Sequence, residues 1–236
     1  MNLYTTENQV LYVSDSETDT VKQAVEQAVA KQIHLRNINL EGADLSGADL
    51  SGAHMQYANL EGADLSGADL SGARMQYARL INAVCIGTNF TDSTLIYANC
   101  TGADFKDASF LDADCTNANF MHANLSYADC TGAIFISAKL VDTYCRLANF
   151  TKATLINTDY KGAKFIHTLF NQIVCKDCNF TDAQFTRPYI YSSYLLDCDF
   201  TYAKFDNAFI ADSRFINCKN TPAHSTSSQN VPQEVS

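Results

Sequence analysis

Nine cysteines are the first residues in this sequence with chemistry of their own. Cys85, Cys100, Cys115, Cys130, Cys145 and Cys175 all fall on multiples of five, and Cys178, Cys198 and Cys218 recur twenty residues apart. Thiols at regular spacing can hold a soft metal ion, pair as disulfides or cycle between redox states. His34 and His54 are also twenty apart, with Arg74 next in the series, and His122 precedes Asp142 by the same interval. Such pairs could bind a metal or move a proton. Acids share the period: Glu41 and Glu61, Asp44 and Asp64, Asp49 and Asp69, Asp92 and Asp112. What any of these can do depends on the element that holds it.

That element is set by two nested periods. Leu40 to Leu60 and Leu60 to Leu80 are a near-exact duplication, LEGADLSGADLSGAHMQYANL followed by LEGADLSGADLSGARMQYARL. Within it, every fifth residue from Leu35 through Phe215 is Leu, Met, Cys, Phe, Tyr or Ile, 37 consecutive positions without a slip. Two residues before these centres, 33 of the 37 positions are Ala, Ser, Thr or Cys, the exceptions being Ile33, Ile38, Ile173 and Pro188. A five-residue period moves an apolar side chain about 140° around an α-helix each time, so no helical stripe forms. Along a continuous strand the odd period would flip successive pairs to opposite faces. The chain must therefore turn every five residues. Four turns of about 90° close a square of twenty, which stacks equivalent residues about 4.8 Å apart. The expected fold is all-β: a right-handed quadrilateral parallel β-helix of about nine coils.

In that frame all nine cysteines point inward, where small apolar residues are wanted, and stacked parallel side chains suit neither disulfide nor tetrahedral metal geometry. No metal or cofactor is expected. The histidine pairs lack a third ligand, an activated nucleophile or an enclosing cleft, so no catalytic site is expected either. The repeated acids form outward columns, either a solvated face or a charged surface for a basic partner. Outward apolar residues are rarer. Leu169, Tyr189 and Phe209 make one column, with Tyr191 beside them and Val174 and Tyr194 on the neighbouring face, a candidate interface. Ile96, Ile136 and Ile156 form a second stripe, and Tyr57, Tyr77 and Tyr97 an aromatic ladder.

The repeats ADLSG, ANLEG, ANFTD, ADFKD and AKFDN resemble the A(D/N)LxX motif of the pentapeptide-repeat family, over residues 33–219. The resemblance implies that the central residue and the small residue two before it face the core. It also implies a candidate activity, since some members modulate DNA gyrase or topoisomerase IV by imitating duplex DNA in shape and charge. Asp44, Asp49, Asp64, Asp69, Glu41 and Glu61 would be the mimicking face. Members of that kind dimerise through their C-terminal ends, so a homodimer and a type II topoisomerase are the partners implied.

Composition agrees with a protein-facing rod. Net charge is −10, with eleven acids against five bases through residue 80 and fourteen against eleven from 81 to 220. This argues against direct contact with nucleic acid or an anionic membrane. No apolar run is long enough to span a bilayer, and Met1 to Val13 lack the pattern of a secretion signal, so reduced thiols and a cytoplasmic location are expected. Residues 1–32 read as a capping segment, a small hairpin from LYTT and VLYV and a helix over 18–31, where Val21, Ala24, Val25, Ala28 and Val29 have helical spacing. Residues 220–236 read as a disordered polar tail.

Overall fold

The computed structural model describes residues 1–222, so most of the tail placed at 220–236 lies outside the described residues. The residue before each centre pairs in parallel with its equivalent twenty residues on, from Asn39 with Asn59 to Asp199 with Lys219. One repeat shows how the backbone is satisfied. Asp64 N donates to Ala43 O in the coil below (2.9 Å), and Leu65 N and Gly67 N donate to Val84 O and Ile86 O in the coil above (2.7 and 2.8 Å). Ala68 N closes the turn on Leu65 O (2.9 Å). The fifth donor, Ser66 N, is taken by the Asp64 carboxylate at 2.9 Å. All five N–H groups are paired, and an Asp or Asn before the centre supplies the last acceptor.

The closed turn needs a left-handed residue two after each centre, as in a type II turn. Gly67 meets this at φ 65°, and Tyr77 and Asp112 are held there at 61° and 54°. From residue 154 onward three of the four faces change. Short strands appear: β3 (Thr154–Ile156), β4 (Lys164–Ile166), β5 (Leu169–Asn171), β6 (Val174–Lys176), β7 (Gln184–Thr186), β8 (Tyr189–Tyr191), β9 (Tyr194–Leu196), β10 (Lys204–Asp206), β11 (Phe209–Ala211) and β12 (Arg214–Ile216). They form three parallel sheets, β4-β7-β10, β5-β8-β11 and β3-β6-β9-β12. The change tracks the small inward position: at nine of the ten open corners Thr158, Thr168, Ile173, Cys178, Pro188, Ser193, Cys198, Ser213 or Cys218 stands in place of alanine, Ala208 being the tenth. Thr88, Ser93 and Thr143 keep closed turns, so bulk at that position does not by itself open a corner. On the fourth face Ala163, Ala183 and Ala203 still donate to Tyr160, Phe180 and Phe200 carbonyls at 2.9–3.0 Å, and the turns stay closed.

Numbering the N-terminal elements β1 (Asn2–Tyr4), β2 (Val10–Val13) and α1 (Val21–Ala30), the hairpin β1-β2 is antiparallel and Thr5 bridges to Ile38 in the first coil. α1 begins at Val21 because Thr20 and Gln23 form a reciprocal capping box. Its Ala24, Val25 and Ala28 are buried in the same cluster as Leu35 and Leu40, and Lys22 Nζ donates to Ser46 O (2.6 Å). That cluster runs the length of the rod. Leu and Met fill its first coils, and phenylalanines fill it from Phe90 on. In the coil where Phe165, Phe170 and Phe180 place three rings, the fourth centre is a cysteine, Cys175, which leaves room for them. At the far end Phe205 and Ile210 are only half-buried, although Phe185 and Ile190 one coil earlier are buried. Among the described residues, no helix is long and apolar enough to cross a membrane.

Candidate functional site

The acidic columns prove to carry structure as well as charge. Asp44 Oδ1 accepts from Ser46 N (3.0 Å) and Ser46 Oγ (2.7 Å), and Asp49 Oδ1 from Ser51 N (3.1 Å) and Ser51 Oγ (2.7 Å). The serine hydroxyl, then the amide, hold both carboxyls below the usual range. Asp64 and Asp69 accept from Ser66 N and Ser71 N in the same way. Glu41 takes a hydrogen bond from Asn59 Nδ2 (3.0 Å), and Glu61 pairs with Arg79 at 2.6 Å. The columns end after two coils, because Val84 follows Asp64 and Asn89 follows Asp69, the asparagine amide donating to the carboxylate beneath it (3.0 Å). The Asp/Asn backbone role was missed at the sequence level. Its signal was there: an Asp or Asn before 17 of the 37 centres.

The apolar residues of the C-terminal coils are brought together. Leu169, Tyr189 and Phe209 are in register on β5, β8 and β11, and the Tyr189 and Phe209 rings lie 5.5 Å apart. Val174 and Tyr194 are in register on β6 and β9, with the Arg214 guanidinium 6.0 Å from the Tyr194 ring. Tyr191 is on β8, two residues from Tyr189. Leu169 is half-buried, whereas Tyr189, Tyr194 and Phe209 are 48%, 54% and 52% exposed. Tyr57, Tyr77 and Tyr97 stack flat, 4.9 and 5.0 Å between centroids, as an aromatic ladder.

The histidine pairs differ from each other. His122 Nδ1 and Asp142 Oδ2 are 3.9 Å apart, both more than half exposed, a loose surface pair. His34 and His54 lie 4.4 Å apart and do line a cleft, of about 640 Å³, between α1 and the first two coils. The expectation of a rod without a pocket is corrected here, because a helix lying across a flat β-helix face leaves a groove beside it. Glu26 and Asp49 share the cleft, but Glu26 Oε1 is engaged with Asp49 N (3.0 Å). Burial, then Arg74 and His34, push His54 toward its neutral form.

The cysteines are inward and free. Burial raises Cys85, Cys100, Cys115 and Cys130 and pushes Cys145 up to about 12, so these thiols stay protonated. The reading of isolated stacked thiols fails at one place. Cys175 from a central position reaches Cys178 and Cys198 from small positions, the three Sγ atoms lying within 4.8 Å of one another. Cys175 Sγ and Cys198 Sγ are 3.6 Å apart. The pair is 23 residues apart, one coil and a corner, a spacing that columns of twenty do not reveal.

Coils of twenty residues, closed by an Asx acceptor and filled by one large and one small side chain per side, define a class of four-sided parallel β-helices whose working surfaces are side-chain ladders. Eight copies of the pentapeptide repeat match residues 33–72, 73–110, 113–143 and 128–159. The chain belongs to the pentapeptide repeat family. No curated protein sequence matches it. Among solved structures it is similar to QnrB1, a plasmid-mediated fluoroquinolone resistance protein, at 17% identity over 73% of this chain and 89% of that one, with a TM-score of 0.57. HetL, a pentapeptide repeat protein involved in heterocyst differentiation regulation in the cyanobacterium Nostoc, matches at 20% identity over 83% and 94%, with a TM-score of 0.34. A pentapeptide repeat protein from the Arabidopsis thaliana thylakoid lumen matches at 33% identity over 44% and 66%, with a TM-score of 0.33. The likeness to QnrB1 is one of fold.

Proposed function

We propose that this chain is a non-catalytic protein-interaction rod that works through its C-terminal coils, with a second copy of itself as the first partner. The observation that carries this reading is the ladder of Leu169, Tyr189 and Phe209, flanked by Tyr191, Val174 and Tyr194. Four half-exposed aromatic side chains present about 400 Å² of ring surface, the scale of an interaction patch on a soluble protein. The patch continues to the end of the rod, where Phe205 and Ile210 are half-buried. Two copies meeting there would extend one core into the other. Light scattering tests it: the wild-type chain is expected at dimer mass, and Tyr189→Ala with Phe209→Ala at monomer mass. An unchanged mass, with unchanged capture of any other partner, would refute the patch.

A second reading, a DNA-mimicking modulator of DNA gyrase or topoisomerase IV, is favoured by one observation. Serine hydrogen bonds stabilise the charged forms of Asp44 and Asp49 beside the like charges of Asp64 and Asp69. Changing all four aspartates to asparagine preserves the Oδ1 acceptors while removing the charge. A gyrase supercoiling assay, with and without a quinolone, should then lose any effect of the protein. An effect retained by the asparagine variant would rule out the charge mechanism.

A further inference from the structure

The Cys175, Cys178 and Cys198 cluster is set apart from the other buried thiols by convergence. Cys178 and Cys198 are 2% and 1% exposed and Cys175 fully buried, and their three sulfurs face one small volume of the core. A second buried group shares the region. The Tyr160 hydroxyl has no hydrogen-bond partner, and after burial itself Cys178 and Cys175 are the neighbours that most oppose its ionisation. Cys218, half-buried, lies one coil beyond Cys198 in the same column, its thiol donating to Leu195 O (3.3 Å).

We infer that Cys175, Cys178 and Cys198 form a binding site for a trivalent thiophilic ion of the arsenite class. Ligand type selects a soft centre, since the site offers three sulfurs and no imidazole or carboxylate. Charge selects the valence. On three thiolates a cuprous ion leaves two negative charges and a divalent ion leaves one, inside a core that holds no counter-ion and where unpaired charge is costly. A trivalent centre leaves none. Counted from three thiols, three S–H protons join three arsenic-bound hydroxyls and leave as three waters, three As–S bonds form, and no electron is transferred.

Geometry permits the step. For bonds of about 2.3 Å to sulfur, near-right angles at the centre bring sulfurs to roughly 3.4 Å apart. Cys175 and Cys198 are already at 3.6 Å, and the third sulfur lies within 4.8 Å. Nucleophilicity also favours it. Burial opposes ionisation of Cys178, while hydrogen bonds from Cys175 and Cys198 and from the backbone at Thr158 and Lys176 favour it and lower that thiol. Cys175 is raised in turn. Cys178 is therefore the first of the three thiols to give up its proton, to an arsenic-bound hydroxyl.

The test uses the full reduced chain with sodium arsenite, read by native mass spectrometry and arsenic X-ray absorption. One arsenic per chain with three sulfur neighbours is expected, lost in Cys178→Ser and in Cys198→Ser and kept in Cys115→Ser. Serine is a conservative choice because Ser193 and Ser213 already occupy the equivalent inward position, and circular dichroism confirms folding of each variant. No arsenic on the wild-type chain, binding unchanged in both serine variants, or displacement of arsenite by stoichiometric Cu(I) would each overturn the assignment.

Discussion

Replacing Ser193 by alanine should destabilise the rod several-fold more than replacing Ser93, although both are buried serines at the same inward position. At Ser93 the turn is closed: Ser93 N donates to Phe90 O at 3.0 Å, and the hydroxyl donates to the same carbonyl at 2.7 Å. Removing that hydroxyl leaves no backbone group unpaired. At Ser193 the hydroxyl reaches into the open turn of the coil below. It accepts from Ile173 N (3.2 Å) and donates to Phe170 O (2.7 Å), replacing the N–H to C=O bond that a closed turn would make. Alanine there strands a buried donor and a buried acceptor. At about 1–3 kcal/mol for each unsatisfied group, the cost is about 2–6 kcal/mol, against about 1 kcal/mol or less for Ser93→Ala. Ser193→Cys should recover much of the difference, since Cys178 Sγ donates to Leu155 O (3.0 Å) in the same geometry. Guanidinium unfolding gives the global change. Amide hydrogen exchange at Ile173 gives the local one, which matters because a solenoid can open coil by coil. Equal costs for Ser93→Ala and Ser193→Ala would refute the idea that inward hydroxyls stand in for turn bonds.

Phe180→Ala should cost about 3–5 kcal/mol, because Phe180 is buried between Tyr160 and Phe200 at 5.1 and 4.9 Å and the cavity would break the ring stack; a thermal melt checks it, and a loss under 1 kcal/mol would mean that the rings repack freely. Acid should destabilise the rod through Asp44, Asp49 and Asp199, whose hydrogen bonds lower their folded values below 3.8. A depressed carboxyl contributes stability that is present above the unfolded value and lost as pH falls through the folded one, so unfolding midpoints should hold steady above about pH 4 and decline below it. Unfolding curves at a series of pH values check this, and a midpoint that falls first between about pH 7 and 5 would point to histidine instead.

Two kinds of information in this chain differ in how far they can be read from the residues alone. Period, closure and inward or outward placement follow from local chemistry repeated without a slip, so the β-helix and the column partners of Asp44, Tyr189 and Tyr57 were legible. Diagonal neighbours were not. Cys175 meets Cys198, and Ser193 meets Phe170, at a separation of 23 residues, and those contacts depend on how wide each corner opens. Corner width differs even between like residues: the turn is closed at Thr143 and open at Thr158, closed at Ala163 and open at Ala208. Residues at the small position of the next coil carry side-chain donors that satisfy the freed carbonyls, as Cys178 does for Leu155 O and Cys218 for Leu195 O. Strand character, core polarity and the thiol cluster therefore coincide in the C-terminal coils, where the small position is mostly not alanine. Restoring alanine at 178 and 198 together would remove two of the three cluster sulfurs and strip Leu155 O and Cys175 O of their thiol donors in a single step.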